Sequence, residues 1–453
     1  MKFNRDTAVP IIKTTPPGPI SQRWTEYHMA NCAEGIYFHG LVWDRSKPAG
    51  GPFCTDPDGN LILDLSSHGA AFPLGYNHPE LIETATRAAA VNPGRYGAEI
   101  VGAWGDDPEM IDVPTPSHLA QKVISLTKPY GLDTLFMSNS GAEAVENAMK
   151  LCYDHRRNMG IGFCFQGAFH GRTLGATSLT RSRRTQRAWY PHIGEIIELP
   201  FCHCEGECRC GWKVFIVSHK GKMSRFEQYL DAEIGTVDPE QVAYIILEPV
   251  QGEGGYRLPA PGFMEEIAGV AKKHGIPLVL DEIQSGLGRT GKWFAFEHFD
   301  IQPDVLCLGK TLRVGATVAP RNMYPEGSGR LGGTWSGTNA VSAAVAYRVL
   351  EIIERDSLLE NATRVGDHLL EGLKSLQQKH SRVHNLRGLG LMVAMSIDGK
   401  GIASKVMEEA FKKGLLVFTC GFDSIRFMPP LDLTVREADL ALDVLDQVLE
   451  VID

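Results

Sequence analysis

Lys310 closes the apolar run DVLCLGK (304–310), Asp281 lies near the end of PLVLDE (277–282), and Ser140, Gly141 and Ala142 follow closely on TLFMS (134–138). Taken singly, each has an ordinary explanation. A strand-end lysine snorkels, a strand-end aspartate caps a helix or joins an ion pair, and small residues make a tight turn. Taken together they suit more specific chemistry. Small residues in the first turn of a helix leave backbone N–H groups aimed at one point, with the helix dipole behind them, which favours a phosphate. A carboxylate at the end of a buried strand suits a cation kept from water. A lysine delivered by such a strand is costly unless it is paired, neutralised or covalently used.

A phosphate cradle, a carboxylate and an amine in this order describe a site for pyridoxal phosphate. There the lysine forms the Schiff base with the aldehyde, and the aspartate keeps the pyridine nitrogen protonated so that the ring accepts electrons. Once substrate displaces it, the lysine amine shuttles a proton, for which its pKa must fall toward about 7–8. The GKT at 309–311 is not a nucleotide phosphate loop. That motif needs a glycine where this sequence has Asp304.

The elements that must position these residues are legible as alternation. TLFMS, GFCFQ (162–166), AYIILEPV (243–250), PLVLDE and DVLCLGK are apolar almost throughout, as strands buried on both faces should be. Helical stretches such as GFMEEIAGVAKKHG (262–275) lie between them, the βαβ pattern of a mostly parallel sheet, in which ligands sit at the carboxyl ends of the strands. The expected class is α/β. Residues 1–80 read as a loop-rich N-terminal arm that packs with the smaller domain, 81–340 as a large domain with a mostly parallel sheet flanked by helices, and 341–453 as a smaller α+β domain. The last begins with the long helix NAVSAAVAYRVLEIIERD.

Composition sets the outer bounds. The 453 residues carry a net charge of −9, which gives no basic field for nucleic acid or an anionic membrane. No run of 18 or more apolar residues marks a membrane span. The start, MKFNRDTAVPIIKTTPPGP, has no apolar signal core, and Cys32, Cys54, Cys152, Cys164, Cys307 and Cys420 are scattered as in a reducing compartment. A cytoplasmic enzyme is expected. The other four cysteines crowd into FCHCEGECRCGW (201–212) as Cys202, Cys204, Cys208 and Cys210. Three readings stay open for them: a structural zinc site, disulfides, or free thiols. The two outer pairs are C-x-C, shorter than the usual C-x2-4-C of zinc sites. No metal is expected in the catalytic site.

Ordered motifs across the chain resemble the class III (ω-amino acid) aminotransferases, fold-type I enzymes dependent on pyridoxal 5'-phosphate, and the 4-aminobutyrate branch in particular. They are SGAEAVENAMK (140–150), AFHGRT (168–173), EPVQGEGG (248–255), DEIQSGLGRTGK (281–292), GK (309–310) and IRFMPPL (425–431). The resemblance implies that Ser140, Gly141 and Ala142 hold the phosphate and that Phe169 stacks on the ring. Asp281 pairs with the pyridine nitrogen, Gln284 hydrogen-bonds the 3-hydroxyl, and Lys310 carries the cofactor. His170 and Glu248 complete the cofactor contacts. Thr334 matches a threonine that reaches the phosphate of a neighbouring subunit, which implies a homodimer or a dimer of dimers.

For substrate, the resemblance implies that Arg426 clamps an α-carboxylate, Glu253 pairs with Arg426 when the donor has none, and Arg172 holds a distal carboxylate. The implied reaction takes the amino group of 4-aminobutyrate to 2-oxoglutarate, giving succinate semialdehyde and glutamate. A same-family racemase or aminomutase, or an aminotransferase for ornithine or lysine, would share the cofactor site. The sequence departs from the family pattern at His68 and Gly69, which would widen the pocket or leave room for His68, at WSGTNA (335–340), and at Arg313.

Overall fold

In the computed structural model, all five apolar runs become strands of one seven-stranded sheet. The structure describes residues 3–33, 40–91, 103–157, 160–216, 221–327, 329–332 and 339–452. The strands are β1 (Thr134–Ser138), β2 (Ile161–Phe165), β3 (Glu195–Leu199), β4 (Val242–Leu247), β5 (Leu278–Asp281), β6 (Val305–Leu308) and β7 (Gly315–Ala319). Their spatial order is β1-β7-β6-β5-β4-β2-β3. β6, β5, β4, β2 and β3 pair in parallel, while β7 runs antiparallel to both β6 and β1, so six strands share one direction. β2, β4, β5, β6 and β7 are buried along their whole length, which is why their sequences carry no polar alternation.

Helices cover this sheet with one apolar face each. α1 (Gly141–Arg156) buries Ala144, Val145, Ala148, Met149 and Cys152 and packs on β7, β6 and β4. α2 (Phe263–His274) buries Phe263, Met264, Ile267, Val270 and Ala271, the spacing of a single helical stripe. Each large member of that stripe is worth ~1.5–3 kcal/mol relative to an exposed position. Glu265 and Glu266 in its first turn and Lys272, Lys273 and His274 in its last complement the helix dipole, and left-handed Gly275 ends it. α3 (Ala340–Arg355) follows later in the chain.

The chain divides into two compact units, one of residues 83–288 and 292–354, the other of 1–82, 289–291 and 355–453. The first holds the seven-stranded sheet. The second holds a four-stranded antiparallel sheet of β8 (Val383–Leu389), β9 (Met392–Ile397), β10 (Phe418–Cys420) and β11 (Ser424–Phe427), ordered β8-β9-β11-β10. α4 (Leu358–Lys379) packs on β8 and β9 and against α5 (Val435–Ile452). Near the N-terminus, the guanidinium of Arg5 pairs with Asp432 and with Glu437 of α5. Among the described residues no helix is long and apolar enough to cross a membrane.

Candidate active site

The chemistry-bearing residues of the larger unit collect where the six co-directed strands end. Ser140–Ala142 follow β1, Phe169 and His170 follow β2, Glu248 follows β4, Asp281 ends β5, and Lys310 comes two residues after β6. The side chain of Ser140 is occupied as the N-cap of α1, accepting from the N–H of Glu143 at 3.2 Å. The first-turn N–H groups of Gly141 and Ala142 have no partner inside the helix by the geometry of any helix start. Gly309 makes the turn to Lys310 possible. A Cβ on it would lie 3.3 Å from the Gly141 Cα and 3.1 Å from Ile283, so a side chain there would push these two turns apart by a few tenths of an ångström. Lys310 itself has φ +40°, a strained backbone for a side-chain-bearing residue, as is common at sites of chemistry.

Adjacent carboxylates at the end of β5 have opposite fates because successive strand side chains point to opposite faces. Asp281 Oδ2 meets His170 Nδ1 at 2.8 Å, with both side chains nearly sealed from solvent, and Asp281 Oδ1 accepts from the Ile283 N–H at 3.0 Å. Glu282 instead accepts from Ser285 Oγ at 2.6 Å and from the Phe296 N–H at 2.8 Å, and burial raises its pKa to about 7. Glu248 ties two loops together. One oxygen accepts from the Phe169 N–H at 3.0 Å, the other from the Gly252 N–H at 2.8 Å. Burial pushes its carboxyl up to about 7; nearby Asp281 adds to this, while His170 and the two N–H groups oppose it.

The Aminotransferase class-III family profile matches residues 41–449. The chain belongs to the class-III aminotransferases. The alanine/serine racemase of Pyrococcus horikoshii is 30% identical over 459 residues, covering 97% of this chain and 93% of that protein. A 4-aminobutyrate aminotransferase of Mycobacterium leprae is 30% identical over 453 residues, covering 96% of both. The solved lysine aminotransferase from M. tuberculosis superposes with a TM-score of 0.80 at 25% identity, covering 97% of this chain and all of that one.

Class-III aminotransferases depend on pyridoxal phosphate, and the residues of this aminotransferase fit that group. Gly141 stands at the start of a 16-residue helix, where an anion is favoured. Asp281 is a buried carboxylate held by a ring nitrogen and a backbone N–H, with lone pairs left for a cationic ring nitrogen. The amide oxygen of Gln284 is buried without a hydrogen-bond partner, as is His170 Nε2, so polar atoms at the strand ends await a polar group. Gly252 lets Gln284 lie close, since a Cβ there would come within 2.4 Å of its amide oxygen.

Of the residues picked from sequence, Ser140, Gly141, Ala142, Phe169, His170, Arg172, Glu248, Glu253, Asp281, Gln284 and Lys310 fall in the larger unit. Arg172 is exposed on the loop after His170. Glu253 is mostly buried and pairs with Arg183 at 3.2 Å, whose side chain is 41% exposed. Arg426 and Gly69 belong to the other unit, Arg426 on β11 opposite Ala394 and Phe418. Gly69 sits in a turn in which Ser67, His68, Gly69 and Ala70 all have positive φ. A Cβ at Gly69 would meet nothing within 4 Å, though its φ of +75° favours glycine. His68 Nε2 lies 3.0 Å from Tyr76 Oη, which donates to Asp64 at 2.8 Å. Thr334 lies outside the described residues. Arg313 also has positive φ, and burial lowers its pKa.

Sequence reasoning missed three supporting residues. Thr180 Oγ1 accepts from the His170 N–H at 3.1 Å, Arg183 holds Glu253, and Glu146 of α1 accepts from Thr173 Oγ1 and from the Gly175 and Ala176 N–H groups. Only Glu146 carried a signal, being inside the SGAEAVENAMK motif.

Proposed function

We propose that this aminotransferase moves the amino group of an ω-amino acid, 4-aminobutyrate foremost, to 2-oxoglutarate, leaving succinate semialdehyde and glutamate, and works in the cytoplasm as a homodimer or a dimer of dimers. Pyridoxal phosphate, when bound, would supply an electron sink for the C–H bond broken in the donor. The N–H groups of Gly141 and Ala142 would anchor its phosphate, and Phe169 would cover its ring. Asp281, bonded to His170, would face the pyridine nitrogen, and Gln284, whose amide oxygen has no partner, would hold the 3-hydroxyl. Lys310 Nζ would hold the cofactor and, once displaced by the donor, would serve as the base that takes the proton from the donor's amine-bearing carbon. Thr334 is assigned to the phosphate of the neighbouring subunit.

The observation that carries the substrate reading is the Glu253–Arg183 pair. Its cationic partner is half in water, and such pairs are worth little (~0–1 kcal/mol), so Glu253 can exchange partners between half-reactions. An enzyme whose donor lacks the α-carboxylate that its acceptor carries needs such a group. Arg426 is assigned the α-carboxylate and Arg172 the distal one, since a planar guanidinium matches a carboxylate fork.

Turnover of 4-aminobutyrate, lysine, ornithine and alanine with 2-oxoglutarate tests this reading. The greatest kcat/KM is expected for 4-aminobutyrate; no turnover of it alongside turnover of another donor overturns the assignment. Similarity to an alanine/serine racemase along 97% of the chain supports a second reading, an isomerase on the same cofactor. Loss of optical rotation from alanine or serine with no oxo acid present would establish it.

A further inference from the structure

None of the strand-end residues involves the loop between β3 and the strand at Lys213–Ile216, yet that loop brings four sulfurs to one point. The Sγ atoms of Cys202, Cys204, Cys208 and Cys210 all lie within 4.8 Å of one another. Cys202 and Cys208 are 3.8 Å apart, and Cys208 and Cys210 are 3.6 Å apart. We propose that these four thiolates form a closed site for one Zn²⁺ ion.

The distances separate this reading from a disulfide. A bonded pair would stand at about 2.05 Å, and two bonded pairs would be uneven, short within each pair and longer between them. A tetrahedral ion at about 2.3 Å from each sulfur instead requires six nearly equal S···S edges of about 3.8 Å. Cys202–Cys208 and Cys208–Cys210, at 3.8 and 3.6 Å, stand near that edge, and all four sulfurs lie within 4.8 Å of one another, with no pair at bonding distance.

The backbone explains how C-x-C pairs close a site usually built with longer spacings. Residues 201–204 carry no turn or bend, and in extended chain positions i and i+2 share a face, so Cys202 and Cys204 can present both sulfurs to one side, while bends begin again at Cys210. A bend at 205–207 with left-handed Gly206 (φ +78°) then folds the second pair back toward the first. Backbone donors face the sulfurs as well: the Arg209 N–H lies 3.4 Å from Cys204 Sγ and the Lys213 N–H 3.3 Å from Cys208 Sγ. The N–H groups of Cys204, Cys210 and Trp212 face Cys202, Cys208 and Cys210. Such donors stabilise sulfur that carries negative charge. Four oxygen-free, soft ligands with no open position select zinc in a closed structural site rather than a hard cation.

The site is anchored to the sheet on one side and to α2 on the other. Cys202 is buried and its carbonyl accepts from the Ala260 N–H at 2.8 Å, while Trp212 Nε1 donates to Glu266 of α2 at 2.8 Å. Phe201 and Trp212 at the two ends both pack on Phe263. The ion would fasten the rim of the edge strand β3 to the start of α2, far from Lys310 in sequence and in none of its motifs.

The test uses the full-length holoenzyme. Metal analysis after gel filtration is expected to find one zinc per chain, and cobalt substitution to give the intense visible bands of a tetrahedral tetrathiolate. The C204S/C208S double variant should lose the metal yet keep its pyridoxal phosphate and its transaminase activity. Native wild type should show these four thiols protected from a thiol reagent until a strong chelator is added. Zinc far below one per chain after incubation with zinc salt, iron in its place, or an intact mass short of two or four hydrogens, the mark of disulfides, overturns the proposal. The wild-type measurements decide the matter even if the double variant fails to fold.

Discussion

The cluster around Asp281 and the loop around Cys208 both crowd groups that repel one another when ionised, and they relieve the crowding in opposite ways. Asp281, Glu248 and His170 come from three strand ends separated by up to 111 residues; His170 bonds to Asp281, and backbone N–H groups donate to both carboxylates, while His170 Nε2 keeps no partner. The four cysteines come from nine consecutive positions on the rim of the same unit. A site built by a sheet draws its partners from distant sequence, because parallel strands bring remote segments side by side. A site built by one short loop has few such partners to draw on, and a cation is its natural complement.

Four perturbations separate the two regions, in falling order of effect. Lys310→Ala is expected to lower transaminase kcat by about 10⁴-fold and to abolish the absorbance of lysine-bound cofactor, with zinc content unchanged. Zinc lost together with that absorbance would show the regions to be coupled. Asp281→Ala removes the hydrogen-bond partner of His170 and the carboxylate proposed to face the cofactor's ring nitrogen, a loss of ~3–5 kcal/mol or roughly 10²–10⁴-fold in kcat. An effect below tenfold would break the role proposed for Asp281.

The third perturbation concerns pH. Folding raises Glu282 from the ordinary glutamate range to about 7 through burial, so the native state binds more protons than the unfolded state between those values. Its contribution to stability therefore falls as pH rises through that window, by about 3 kcal/mol at most, and levels off above it. Denaturant unfolding of wild type against Glu282→Gln should show the variant gaining relative stability from about pH 5 to about pH 8. A pH-independent difference would contradict it. The smallest effect belongs to the cysteines. The C204S/C208S variant should lose only a few degrees of Tm, since ~1 kcal/mol moves a domain of this size by about 2–4 °C. Its kcat should stay within about twofold. Collapse of the whole fold would mean the loop holds up more than an edge strand.

Fold class and the strand-end residues were legible because five strands are apolar on both faces and carry their polar residues at their ends. β3 and β7 were harder to see. β3 (EIIEL) is an edge strand, half-exposed along most of its length, and β7 (GATVA) follows the lysine after a turn too short to advertise a reversal. Pairings such as His170 with Asp281 and Arg183 with Glu253 join segments far apart in sequence, one of each pair in an irregular loop, where periodicity carries no information. The cysteine spacing was visible, but the folding-back of one C-x-C pair onto the other depends on a bend that spacing alone does not encode.

β6 and β7 are joined by the turn that carries Lys310, and they pair antiparallel with Leu308 opposite Ala316, while β7 pairs again with β1, Gly315 opposite Ser138. The lysine thus stands at the tip of a hairpin with both legs locked inside a sheet. Its main chain is held by the sheet on both sides, and the reach belongs to the four-carbon arm. Torsional hops of such an arm take picoseconds to nanoseconds, whereas turnover of ordinary enzymes takes about a millisecond to a second. The reach of Lys310 from one carbon to the next is therefore a matter of placement rather than pace, and a slow step must be sought elsewhere in the catalytic cycle.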